Sequence, residues 1–183
     1  GPLVFIKQVP AMFSHQLTQY YGACARPGGG VFILERPGES MACRSLTAGR
    51  LPAGSCQHVE VSCDADRILF AFCPVAESPR VRADHQDHHF HLYEMRADGS
   101  RLRPLTDGPY DDFSPRLLPD GKILFISTRR GGFHRCGRGP CPVYTLSIAE
   151  PDGSEPRPIS YHETHEWDPA ILHDGRIVYT RWD

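Results

Sequence analysis

Nothing in this sequence approaches 18 consecutive apolar residues, so no segment reads as a membrane-spanning helix. It also lacks an excess of either charge. Lys and Arg number 20 and Asp and Glu 22, for a formal net charge of −2. That balance gives no electrostatic footprint for nucleic acid and no polybasic patch for a membrane surface. There is no C-x-x-C-H, which excludes covalent attachment of a c-type haem within these residues, and no C-x-x-C. G-x-S-x-G, a P-loop and a G-x-G-x-x-G opening a helix are all missing, so the usual serine-hydrolase and nucleotide-binding motifs are excluded. Uninterrupted helical stretches are scarce as well. Gly 17 and Pro 17 together make about 19% of the 183 residues, against a usual sum of roughly 12%. They are spread along the chain, which argues against a helical bundle and for many short strands joined by turns.

What is present starts with hydrophobic residues at 40%, enough to build a core. Seven cysteines, an odd number, cannot all pair within one chain. The chain begins Gly-Pro-Leu-Val with no basic segment or cleavage pattern, and it stops just after an apolar strand pattern. Both ends read as cut, so the expectation is a piece of a longer protein.

The chain repeats itself internally. Asp64-Ala65-Asp66-Arg67-Ile68-Leu69-Phe70, Asp120-Gly121-Lys122-Ile123-Leu124-Phe125 and Asp174-Gly175-Arg176-Ile177-Val178-Tyr179 share one pattern. Each is a turn with Asp, a basic residue, then an apolar run ending in an aromatic. Phe70 and Phe125 lie 55 residues apart, and Phe125 and Tyr179 lie 54 apart. A second pattern keeps the same period: Asp98-Gly99-Ser100 with Arg103-Pro104-Leu105-Thr106, then Asp152-Gly153-Ser154 with Arg157-Pro158-Ile159-Ser160. Val31–Leu34 with Arg44-Ser45-Leu46-Thr47 is a degenerate earlier copy.

The chemistry of one unit follows from its letters. Asp-Gly makes a tight hairpin turn, because Asp bonds local backbone and Gly supplies positive φ. Ile123-Leu124-Phe125-Ile126 is a continuous apolar run, the pattern of a strand buried on both faces. Pro158 fits a short edge strand, which need not donate every ladder bond. Each repeat is thus about four short strands and two turns, the pattern of a β-propeller blade; a sandwich would need no repeat. The expected fold is all-β: a partial propeller of about three four-stranded antiparallel blades (1–55, 56–110, 111–165) and the first strands of a fourth (166–183). Propellers close with about 4–8 blades, so this count again reads as part of a domain.

Phe113-Ser114-Pro115 with Leu118–Arg129, and Trp167-Asp168-Pro169 with Asp174–Arg181, resemble the repeat of TolB-type β-propellers. Pro27–Phe32, Leu105–Pro109, Ser127-Thr128-Arg129 and Tyr179–Asp183 are similar to the group of bacterial proteins that includes the hydrazine synthase alpha subunit. The resemblance implies architecture and a periplasmic or secreted location. It does not imply hydrazine synthesis, because the haem motifs that chemistry depends on are missing; haem c would have to come from regions outside this chain.

Three polar clusters are candidate sites. In the run from Asp84 to His91, His89 and His91 share a strand face, and with a carboxylate from Asp87 or Asp84 they could hold Zn²⁺ or Ca²⁺; the alternative is a solvated connection. Asp111 and Asp112 precede one inner strand, and His162, His165, Glu166 and Asp168 lie at the corresponding place in the next repeat. His162-Glu163-Thr164-His165 is one residue short of H-E-x-x-H. In TolB-like propellers such loops line the central channel or its mouth, where these groups could bind a cation or ligand; otherwise they cap the next strand. Cys136 and Cys141, in a Gly- and Pro-rich loop, allow a local disulfide, a zinc site completed by His134, or free thiols.

The expected function is a non-catalytic scaffold or binding segment, its partners being other domains of a parent chain or other proteins. The competing expectations are part of a haem redox enzyme and a metal-dependent hydrolase using the His and Asp clusters.

Overall fold

The computed structural model describes residues 1–12, 19–81, 87–134 and 141–182. Its strands form four antiparallel sheets in chain order, with no α-helix among the described residues. The first sheet joins β1 (Leu3–Gln8), β2 (Gly29–Leu34) and β3 (Cys43–Ser45). The second is a meander of β4 (Gly54–Val61), β5 (Arg67–Pro74), β6 (His91–Arg96) and β7 (Arg103–Pro104). The third repeats that meander with β8 (Asp112–Leu117), β9 (Ile123–Ser127), β10 (Thr145–Ala149) and β11 (Arg157–Pro158). The fourth pairs β12 (Glu166–Ile171) with β13 (Ile177–Arg181). A 3-10 turn, Gly22–Cys24, lies in the long connection from β1 to β2.

The Asp turns work as their letters suggest. Carboxylate oxygens of Asp64, Asp98, Asp120, Asp152 and Asp174 each accept the backbone N–H two residues on, at 2.7–3.2 Å. The residue after four of these Asp residues is glycine with φ between 84° and 90°. In the earliest copy Ala65 occupies that place at φ 58°. A Cβ there is strained, so Ala65→Gly is expected to raise stability by about 0.5–1 kcal/mol, net of the freedom glycine adds to the unfolded chain. Urea unfolding checks this through a higher midpoint at unchanged slope.

The central strands are buried on both sides. Along β5, Ile68, Phe70 and Phe72 join Val31, Ile33 and Leu46 of the first sheet in one core. The alternating Leu69, Ala71 and Cys73 join Phe113 and Ile123–Ile126 of the third sheet in another. A strand with period-two side chains thus fills two inter-sheet cores at once. Each fully buried Leu, Ile or Phe there contributes about 1.5–3 kcal/mol, so the sheets are held face to face by apolar packing.

Two smaller features repeat. In the strands preceding the Asp64, Asp120 and Asp174 turns the ladder slips by a bulge, and the residue in it has left-handed backbone: His58, Ser114 and Asp168, at φ 51°, 52° and 51°. After each outermost strand a hydroxyl folds back onto the sheet. Thr47, Thr106 and Ser160 accept from the amides of Val31, Leu92 and Leu146 at 3.0–3.2 Å.

Candidate functional site

The acids and imidazoles singled out in the sequence gather at the starts of β8 and β12, where each sheet meets the one before it. Asp111 Oδ1 accepts the amides of Phe90 (2.9 Å) and Gly22 (2.8 Å). The next residue, Asp112, donates its amide to the Phe90 carbonyl at 2.7 Å. His165 and Glu166 repeat the arrangement one sheet later. His165 Nδ1 accepts the Tyr144 amide at 3.3 Å, and the Glu166 amide donates to the Tyr144 carbonyl at 3.0 Å. Each pair therefore clasps both backbone groups of one residue on the preceding sheet. Their burial, between 0% and 5% exposed, is offset by these bonds.

Beyond the clasp the two pairs differ. The Asp112 carboxylate receives Ser127 Oγ (2.6 Å) and a two-pronged contact from Arg129 Nε and Nη2 (3.1 and 2.8 Å). The Glu166 carboxylate accepts the Leu146 amide (3.0 Å) and the Ser160 hydroxyl. His162 is half-buried, with Nδ1 2.8 Å from Thr164 Oγ1. Asp168 is exposed at its bulge.

His89 and His91 do stand together, with ring centroids 6.4 Å apart, although the strand starts only at His91. Their Nδ1 atoms lie 3.7 Å from Asp111 Oδ2 and 3.8 Å from Asp112 Oδ2. The Asp111 carboxylate holds the His89 pKa above the usual imidazole range, with smaller contributions from Asp87 and Asp112. Asp87 is exposed, and Asp84 is outside the described residues. Among the described residues no three His, Cys, Asp or Glu side chains gather as a metal-ligand set. Cys136 lies outside the described residues, and with it the Cys136–Cys141 pairing. Cys141 is buried, its sulfur 3.2 Å from the Tyr21 hydroxyl and 3.8 Å from His165 Nε2.

The sequence reading missed an aromatic cluster beside this row of clasps. Tyr20 and Tyr21 come from the connection between β1 and β2 and reach the third sheet. The Tyr21 hydroxyl donates to the Pro142 carbonyl at 2.6 Å. Tyr20 stacks on Phe113 (5.2 Å) and packs against His58 (5.1 Å). A second stack runs through Tyr144, His165, His134 and Trp182, with successive centroids 3.8, 4.6 and 4.5 Å apart. The sequence carries no local signal for Tyr20. His58 could have been found, because it stands where Ser114 and Asp168 stand, but Val59 replaces the proline that marks the other two copies.

Burial holds His58 at a pKa of about 4, with Arg116 adding to the effect, and burial holds His165 at about 3, with His134 adding to it. Both are neutral in the folded protein near pH 7. As pH falls below about 6.5, the unfolded chain takes up protons that these two imidazoles refuse until about 4 and 3. Their contribution is an acid destabilisation that grows from about pH 6.5 downward. His58→Gln is expected to flatten the fall in urea midpoint between pH 6.5 and 4. An unchanged pH profile in the variant would contradict the assignment.

Comparison of the chain with protein-family models and with curated proteins gives no match.

Proposed function

We propose that this chain is a stretch of β-propeller that serves as a non-catalytic scaffold and binding module. One observation carries the reading. Two of the groups a catalytic role could use instead bridge successive sheets: Asp111 and His165 each accept a backbone amide from the segment leading into the preceding sheet. Two further features support it. The four-stranded meander recurs with the same strand order in the second and third sheets. In the fourth, Val178 and Tyr179 are 50% and 38% exposed, whereas Leu124 and Phe125, at the equivalent places in β9, are fully buried. A neighbouring strand and sheet of the same design would cover them. The resemblance to the hydrazine synthase alpha subunit group adds a periplasmic or secreted parent protein, with its other domains or other proteins as partners.

The test sets scaffold against metal-dependent hydrolase. Purified protein is titrated with Zn²⁺ and with Ca²⁺ while Tm and hydrolysis of 4-nitrophenyl acetate are followed. The scaffold reading expects no metal-dependent rise in Tm and no turnover above buffer. A rise in Tm or a metal-dependent rate that disappears in the His89→Ala/His91→Ala double variant would overturn it.

A further inference from the structure

Both tryptophans of the chain, Trp167 and Trp182, line one cleft of about 320 Å³ together with Gln19, Tyr20 and Arg181. Convergence of the two tryptophans follows partly from β12 and β13, where Trp167 faces Thr180 and the Trp182 amide donates to the His165 carbonyl at 3.1 Å. Tyr20 is brought in separately, from the connection between the first two strands.

The walls are braced from behind. Tyr20 lies on Phe113 at 5.2 Å and 25° between ring planes. Trp182 lies on His134 at 4.5 Å and 18°, and His134 in turn lies on His165. Trp167 packs against Tyr144 and His165 at 6.2 and 6.3 Å. All three wall residues are half-buried, so each has ring surface held in place and still accessible. Rings fixed this way lose little freedom when a ligand stacks on them.

The polar groups decide the ligand. Arg181 and Gln19 are the polar residues among those lining the cleft. A guanidinium donates, and an amide both donates and accepts. Beside three aromatic ring faces, this pair suits a ring that carries hydroxyl groups at its edge and C–H groups on its face.

We propose that this cleft binds a ring of a neutral glycan, its C–H face stacked on Trp167, Trp182 or Tyr20 and its hydroxyls bonded to Arg181 and Gln19. A cleft of this volume with aromatic walls and a few polar groups is the usual build of a small-ligand site. The inference deepens the binding half of the function proposed above and rests on it, but it needs no closed ring of sheets.

Intrinsic fluorescence is the direct readout, because every tryptophan of the chain lines the cleft. The full chain is titrated separately with cellopentaose, chitopentaose, maltopentaose and adenosine, with calorimetry in parallel. At least one glycan is expected to give a saturable emission shift, with Kd of about 1 mM or tighter. Trp182→Ala is expected to weaken it roughly tenfold or more. If that variant fails to fold, Arg181→Ala keeps all three walls and is expected to lose affinity by a similar factor. No shift with any of the three glycans up to about 10 mM overturns the proposal. So does saturable binding of adenosine alone, which would assign the cleft to a flat aromatic ring, and so does glycan binding that survives both substitutions. The metal and ester assays do not depend on this titration, so failure here is distinguishable from failure of the scaffold reading.

Discussion

Asp112→Ala is expected to destabilise the protein by about 3–5 kcal/mol, measured as a drop in urea midpoint at unchanged slope. The Asp112 side chain is fully buried and that of Arg129 is 11% exposed, so neither ion can rely on water in place of the other. Removing the carboxylate strands the Arg129 guanidinium, which it holds by both Nε and Nη2. It also removes the acceptor of the Ser127 hydroxyl. Arg129 keeps two other contacts, a bond from Nη2 to the Asp107 carbonyl (2.6 Å) and a seat 4.7 Å from the Tyr110 ring centre. These cannot neutralise it. The Asp112→Ala/Arg129→Ala double variant is therefore expected to cost clearly less than the two single losses added together. A single-variant cost below about 1 kcal/mol, the level of an exposed ion pair, would contradict the burial described here.

Gly153→Ala is expected to cost about 3 kcal/mol or more, and Gly175→Ala only about 1–2 kcal/mol. The two glycines occupy the same place in the Asp-Gly turn, at φ 90° and 84°, so the backbone strain of a Cβ is nearly equal. The surroundings differ. A Cβ on Gly153 would lie 2.2 Å from the Leu105 carbonyl oxygen, which belongs to the preceding sheet, and backbone cannot step aside as a side chain can. A Cβ on Gly175 meets nothing within 4 Å. Gly99 shows the same closeness more mildly, at 3.1 Å from the Leu46 carbonyl oxygen one sheet earlier. The hairpins at 98–99 and 152–153 are thus contact points between sheets as well as turns within them. Thermal or urea unfolding of the two variants side by side checks this; equal costs would mean that the Gly153 hairpin does not press on its neighbour.

How much of this was legible in the sequence varies with the range of the interaction. The Asp turns were legible, because Asp, Gly and the following amide interact within three residues. The buried run Ile123–Ile126 and the short Arg157–Pro158 edge strand were legible for the same reason, each being a property of its own letters. The roles of Asp111 and His165 were not. Each accepts an amide 21 residues earlier, and that partner is known only once two sheets are packed. An acidic or imidazole cluster read on its own looks like a ligand site, and the same letters serve as a clasp when backbone groups need acceptors. The aromatic cleft was half legible. Trp167 and Trp182 could be brought together from a hairpin register, whereas Tyr20 enters from a connection that crosses between sheets.

The scaffold reading stands on these polar groups joining the sheets together. Amide hydrogen exchange on wild type and Asp111→Ala tests it most directly. The amides of Phe90 and Gly22, both bonded to Asp111 Oδ1, are expected to lose protection in the variant, while amides within β5 keep theirs. Added Zn²⁺ or Ca²⁺ is expected to leave both patterns unchanged. Unaltered protection at Phe90 and Gly22 in the variant, together with metal-dependent protection in the wild type, would contradict the claim and make Asp111 a ligand.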